Sequence, residues 1–331
     1  MTVKQPFTPP YFLRNPHIQS ILNSVGPRKL RAKRLVKKLD SQMLILTTAE
    51  GVRLAAEFDR ASITAESKNA LVILLHGWEG SSKSAYSVTT AKYLLDNGFD
   101  VLRLNMRDHG DTQHLNPEVF NSTMTDEVAD AAALFLKDHS YPAVFMAGFS
   151  LGASFTLRIA TDRGPELGLT AAVAICPPVD PTSAMDAMDK TLIIYEKYFF
   201  YRWTTSLRKK LKHFPELDFG AELERAKTLD DLNITFIPKF TPYPDAQSYF
   251  ASYTLTGDRL KALSVPAHLI ASLDDPIIPA VDLEKINCPE HLSIEVQRYG
   301  GHCGCIQNLA SHSWIEPKVV QIFDGHRVQQ S

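Results

Sequence analysis

Ser150 stands between Gly148 and Gly152 in MAGFSLGAS (146–154), directly after an apolar run and directly before a helix-like stretch. A serine hydroxyl is a poor nucleophile until an imidazole takes its proton, and the imidazole in turn needs an acid to hold and stabilise it. Both partners occur further along. SLDDPIIP (272–279) offers Asp274 and Asp275, and YGGHCG (299–304) puts His302 behind two glycines. The G-x-S-x-G string alone arises by chance in about one chain of this length in ten. Its meaning therefore depends on what positions these residues.

Strand-like runs alternate with helix-like stretches through most of the chain. SQMLILTT (41–48) and VRLAAEF (52–58) flank Glu50-Gly51 and predict a hairpin. LVILLHG (71–77), DVLRLN (100–105), AVFMAGFS (143–150), LTAAVAICPP (169–178), AHLIASLDD (267–275) and SIEVQRYG (293–300) read as core strands, with helices near 84–97, 124–138 and from Ser150 onward. Continuous apolar strands separated by helices predict an α/β fold, a mostly parallel sheet covered on both faces with an antiparallel hairpin at its start. The whole of 1–331 reads as a single domain. Residues 180–256 interrupt the alternation and read as a helical lid inserted between core strands. Its aromatics in 195–203 (Tyr195, Tyr198, Phe199, Phe200, Tyr201 and Trp203) suit lid core or an apolar wall over the serine.

In a parallel sheet, reactive groups collect at the carboxyl ends of the strands. Ser150, the acid and His302 each follow a predicted core strand, in the chain order of the α/β-hydrolase fold. The small neighbours Gly148 and Gly152 let the helix pass close to the strand. The Leu151 amide at the helix start would face an oxyanion beside Ser150, and the loop LLHGWEG (74–80) makes Trp78 the second backbone donor. The run from Ser272 to Pro279 resembles the pattern usual in the α/β-hydrolase fold, a small residue, two variable positions, the acid, three residues and a proline, which implies Asp275 as the acid. Asp274 would then cap the local turn or the following helix by accepting amide hydrogen bonds.

On these residues the chain resembles the YheT-like α/β-hydrolase family, whose eukaryotic relatives are the abhydrolase-domain lipases and acyltransferases. NPHIQSIL (15–22), LLHGWEGSS, GFSLGAS, DDP and GGHCG carry the resemblance and together span residues 15–305. It implies a serine hydrolase of carboxylic esters, with Ser150, Asp275 and His302 at the triad positions. It also implies that the 15–22 segment packs on the core. The substrate would be a small-molecule or lipid ester, of short to medium acyl length. An alcohol acceptor in place of water would make the same triad an acyltransferase. No cofactor is needed by this chemistry.

The bulk numbers agree. The chain has 331 residues, 44% hydrophobic and 22% charged, with net charge −2, so no nucleic-acid partner is expected. No apolar run reaches the roughly 18 residues of a membrane span, and the first residues do not read as a signal peptide. Four cysteines (176, 288, 303 and 305) suggest no disulfide framework, which points to a cytoplasmic setting. The basic segments 28–38 and 206–214 read as solvated faces, with docking to an anionic membrane surface as the alternative. His76 and His109 read as structural histidines. Cys303 and Cys305 with His302 have poor spacing for zinc, so no metal is expected. A phosphate-loop reading of GWEGSSKS (77–84) suffers from Ser82 at the second glycine position. A non-catalytic binding module would have no need of all three triad residues.

Overall fold

The computed structural model describes residues 6–61 and 66–328. Two helices open the chain, α1 (Pro16–Ser24), capped by the Asn15 side chain on the amides of His17 and Ile18, and α2 (Pro27–Val36). The hairpin follows as β1 (Gln42–Thr47) and β2 (Arg53–Asp59), with Gly51 at φ 84° in the turn. Next come β3 (Ala70–Leu75), α3 (Ala85–Asp96), β4 (Asp100–Leu104), α4 (Thr125–Asp138), β5 (Ala143–Phe149), α5 (Leu151–Arg163) and β6 (Leu169–Ile175). Five helices then intervene before the sheet resumes: α6 (Pro181–Lys190), α7 (Ile193–His213), α8 (Gly220–Arg225), α9 (Leu229–Phe240) and α10 (Ala246–Ser252). The chain closes with β7 (Ala267–Ser272), β8 (Leu292–Gln297) and α11 (Ile315–Val328).

The eight strands form one sheet in the order β1-β2-β4-β3-β5-β6-β7-β8. β1 and β2 pair antiparallel, β2 joins β4 antiparallel, and the other pairings are parallel. The expected mostly parallel sheet with an antiparallel start is therefore present. Every residue of β3, β5 and β6 is buried, which is why these strands read as unbroken apolar runs. Alternation still decides the face. Leu71, Ile73 and Leu75 of β3 join the core under α4 and α5, whereas Val72 and Leu74 join the core under α3 and α11.

From β3 the connection runs to β4 on one side, whereas β5 lies on the other. The crevice at the carboxyl ends of β3 and β5 is thus the point where the strand order reverses, the place where such sheets bind ligands.

Neither basic segment is a uniformly solvent-facing surface. Arg28 of α2 is buried and bonds Thr89, Asn23 and Glu316. Lys210 of α7 is buried against Asp108 and the Asn116 and Glu118 carbonyls. Among the described residues, no helix is long and apolar enough to cross a membrane.

Candidate active site

Ser150 occupies the corner between β5 and α5 with φ 53° and ψ −120°, a conformation that costs a non-glycine residue on the order of 1–3 kcal/mol. The surroundings hold it there. Its amide donates to the Ile175 carbonyl of β6 at 2.9 Å, and its carbonyl accepts from Ala153 N at 2.8 Å. The flanking glycines are required by close approach. A Cβ on Gly148 would lie 2.1 Å from the Gly152 carbonyl oxygen, and one on Gly152 would lie 2.3 Å from that of His76. Any side chain at either position would push α5 off the sheet.

His302 sits in the loop after β8. Its Nε2 is 2.9 Å from Ser150 Oγ, and its Nδ1 is 2.8 Å from Asp275 Oδ2. The carboxylate accepts the Nδ1 proton, which leaves the Nε2 lone pair facing the serine hydroxyl. Burial disfavours the charged imidazolium, but the Asp275 carboxylate and its hydrogen bond outweigh burial and hold His302 above the ordinary imidazole pKa. The other oxygen of Asp275 accepts the amides of Ile277 and Ile278, both at 2.9 Å. These bonds aim the carboxylate.

Asp274 does something the sequence reading did not anticipate. Turn-capping falls to Asp275, whereas Asp274 Oδ1 accepts the Gly301 amide at 2.9 Å, beside the histidine. The two neighbours thus grip one loop at two points. Burial raises the Asp274 carboxyl above its usual range, against the pull of the Gly301 and Gly300 amides.

The histidine loop is also held from the other end of the chain. Ser20 Oγ of α1 accepts the His302 amide at 2.8 Å, and Gln19 bridges Leu13 O with both backbone groups of Ile306. A Cβ on Gly301 (φ 53°) would lie 2.3 Å from the Pro16 carbonyl oxygen. Gln19 and Ser20 belong to the segment 15–22, but their types alone did not single them out.

Trp78 and Leu151 line one cavity together with Ser150 and His302. The first amides of a helix have no intrahelical acceptor, so Leu151 N–H at the start of α5 is available to an oxyanion. The cavity encloses about 1010 Å³ of empty space, its open mouth included, and α6, α7, α9 and α10 build most of its far wall. Of the six aromatics in 195–203, Phe199 and Trp203 line it, as helical spacing of four residues requires. Phe199 stacks on Trp78 with ring centroids 5.2 Å apart, and Trp203 meets Trp78 edge-on. Tyr198 and Tyr201 are exposed, and buried Tyr195 hydrogen-bonds His17 at 3.1 Å.

His76 and His109 have structural contacts. His76 Nε2 accepts the Met106 amide and its Nδ1 donates to Gly77 O. His109 donates from Nδ1 to Arg107 O, and burial pulls its pKa down to about 4. The 77–84 loop is no phosphate cradle. Gly77 N donates to Tyr86 Oη, Gly80 N to Gly77 O, Ser81 N to Ser84 Oγ and Ser82 N to Asn105 Oδ1, so these four amides are already engaged. Of the two cysteines beside His302, Cys303 has its sulfur 3.8 Å from Nε2. The thiol that joins them is Cys176 at the end of β6, whereas Cys305, buried in the same apolar core, lies outside this group.

A family model described as alpha/beta hydrolase fold matches residues 70–309. An abhydrolase domain-containing protein of Dictyostelium discoideum is 22% identical over 324 residues, covering 95% of this chain and 80% of its own. The YheT protein of Escherichia coli (strain K12), which bears a provisional esterase designation, is 22% identical over 322 residues, covering 95% of this chain and 91% of its own. Among solved structures, a Pyrococcus furiosus esterase superposes with a TM-score of 0.55 at 16% identity, over 98% of this chain and 99% of its own.

Proposed function

This chain belongs to the alpha/beta hydrolase fold family, and from that membership we propose that it is a carboxylic ester hydrolase working through an acyl-enzyme on Ser150. The observation that carries the proposal is the unbroken relay from Asp275 through His302 to Ser150, at 2.8 and 2.9 Å, opening into an apolar cavity. The esterase designations of YheT and of the Pyrococcus furiosus protein support it.

His302 Nε2 takes the Ser150 proton as Oγ attacks the ester carbonyl. The amides of Trp78 and Leu151 stabilise the oxyanion, and Asp275 stabilises the imidazolium. His302 then protonates the leaving alcohol. Water, activated by the same histidine, releases the acid and restores Ser150. The helical segment 180–256 acts as a lid whose inner wall selects the acyl chain, and a short- to medium-chain acyl group occupies the cavity. An alcohol in place of water would turn the second half-reaction into acyl transfer.

A fluorophosphonate probe is expected to label Ser150. Ser150→Ala is expected to lose both labelling and hydrolysis of p-nitrophenyl esters, retaining only the residual rate of roughly 10³–10⁴ over water that oxyanion donors and binding provide in characterised triads. Labelling that persists in the alanine variant would overturn the assignment.

A further inference from the structure

Three potential ligand atoms crowd the underside of the proposed catalytic centre. They are Cys176 Sγ, Cys303 Sγ and a ring nitrogen of His302, all within 4.8 Å of one another. They come from two places in the fold, the end of β6 beside the Ser150 corner and the histidine loop after β8. The thiols are already mutually oriented. Cys303 N points at Cys176 Sγ at 3.4 Å, and Cys303 Sγ lies 3.6 Å from the Ile175 carbonyl. Both residues take positive φ, 49° and 58°, so tight local backbone aims these side chains inward.

We propose that Cys176, Cys303 and His302 form a binding site for a soft divalent cation of the Zn²⁺ type, whose occupancy switches off ester cleavage by taking the lone pair of His302 Nε2. The binding half stands on side-chain geometry alone, and only the switching half rests on the esterase reading above.

The metrics suit such an ion. Zinc–sulfur bonds of about 2.3 Å and zinc–nitrogen bonds of about 2.0–2.1 Å at tetrahedral angles place sulfur and nitrogen about 3.6 Å apart. The observed Cys303 Sγ to His302 Nε2 separation is 3.8 Å. Soft thiolate and imidazole donors favour this class of metal over Mg²⁺ or Ca²⁺, which take oxygen. Charge balances as well. Binding releases one proton from each thiol, and two thiolates neutralise the dication, so no net charge is left in a buried place. Ser150 Oγ, 2.9 Å from Nε2, or a water fills the fourth position.

Occupancy and catalysis are then exclusive. The Nε2 lone pair that would accept the serine proton is the one a cation would hold. The paired-cysteine spacing in GGHCGC concealed this arrangement, because the second thiol comes from a strand end well over a hundred residues upstream.

The test uses the purified full chain, stripped of metal by a chelator. Zn²⁺ is titrated against p-nitrophenyl butyrate hydrolysis, and Cd²⁺ is titrated while the ultraviolet cadmium–thiolate charge-transfer absorption is followed. Both titrations are expected to saturate at a single equivalent, with chelator restoring the rate. Cys176→Ser and Cys303→Ser, each compared with its own metal-free rate, are expected to weaken inhibition by at least the roughly 10–100-fold that loss of even an outer-shell partner costs. Cys288→Ser, at an exposed cysteine, is expected to leave it unchanged. Absence of the thiolate band at stoichiometric Cd²⁺ overturns the site, whether or not the serine variants fold. Inhibition that survives both serine variants places the cation elsewhere and overturns it too. A thiolate band with undiminished fluorophosphonate labelling of Ser150 overturns the switch. Failure of that labelling in metal-free protein counts against the esterase reading instead, and the cadmium titration still decides the site.

Discussion

Asp274 and Asp275 are adjacent carboxylates with different partners, and the difference predicts different failures. Asp275 Oδ2 holds His302 Nδ1, whereas Asp274 Oδ1 holds the Gly301 amide. Asp275→Asn keeps the shape but loses the charge that stabilises imidazolium and fixes its tautomer. Its kcat is expected to fall roughly 10⁴-fold, as in characterised triads, with the fold intact by circular dichroism. Asp274→Asn keeps an oxygen for Gly301 N and is expected to keep most of its rate, at a stability cost on the order of 1 kcal/mol. A pH profile gives an independent reading. Burial lowers and Asp275 more than restores the His302 pKa, so kcat/KM of the native chain is expected to rise with pH through an inflection above about 6.5. The residual activity of Asp275→Asn is expected to inflect at lower pH, because burial is then no longer offset by the carboxylate. The sign for stability is the reverse. A folded-state pKa above the unfolded one gives stabilisation that is complete below about 6.5 and is lost as pH rises through the folded value. An unmoved inflection in Asp275→Asn would contradict the assigned cause of the shift.

Among the elements, α7 joins the helical segment to the loop proposed to hold the oxyanion. Phe199 stacks on Trp78, and Arg202 donates to the Glu79 carbonyl at 2.6 Å. Phe199 faces the cavity, but Phe200, one residue and about 100° further round, packs into the apolar cluster behind it. Phe199→Ala is therefore expected to shift the ratio of butyrate to dodecanoate ester turnover by about 10-fold or more, since a methylene in an apolar pocket is worth roughly 1–3 kcal/mol. Phe200→Ala is expected to lower the melting temperature and leave that ratio in place. Equal effects on the ratio would remove α7 from chain-length selection. The same contrast shows what was legible in the sequence. An amphipathic aromatic helix was visible from 195–203, but which two of six aromatics face the cavity depends on how the helix is rotated against Trp78. The strand starts were legible to within one residue, because β3, β5 and β6 are buried on both faces and must be apolar throughout, whereas the expected runs overshot the ends of β6, β7 and β8 by three residues. Helices α1, α2 and α11 were not legible, although Asn15 caps α1 and Pro16 and Pro27 each sit in a first turn.

Across the whole molecule, the first helix and the last loops form one structural unit around His302. Sequence could show Ser150, Asp275 and His302 at strand ends, because the sheet imposes that order. It could not show Gln19, Ser20 or Cys176 beside them, because partners nearly 290 or about 127 residues apart leave no local pattern. Gln19 is fully buried and makes three bonds. Its Nε2 donates to Leu13 O at 2.7 Å and Ile306 O at 3.2 Å, and its Oε1 accepts Ile306 N at 2.6 Å. Its neighbour Ser20 accepts the His302 amide. Truncating Gln19 to alanine strands these backbone groups, at about 1–3 kcal/mol for each buried group left unpaired. Gln19→Ala is thus expected to lower stability by roughly 3 kcal/mol or more in urea unfolding. Ser20→Ala removes the acceptor of the His302 amide and the donor to the Pro16 carbonyl, and is expected to cost about 1–3 kcal/mol. Its kcat should nevertheless fall up to about 10²-fold, the penalty for displacing a catalytic group by 1 Å. Butyrate-ester KM should hardly move, because Ser20 does not line the cavity. Ser20→Thr, which keeps the hydroxyl acceptor, is expected to recover part of the lost kcat. A Ser20→Ala variant with native kcat would show that the 2.8 Å bond to His302 N secures the loop without aiming the imidazole.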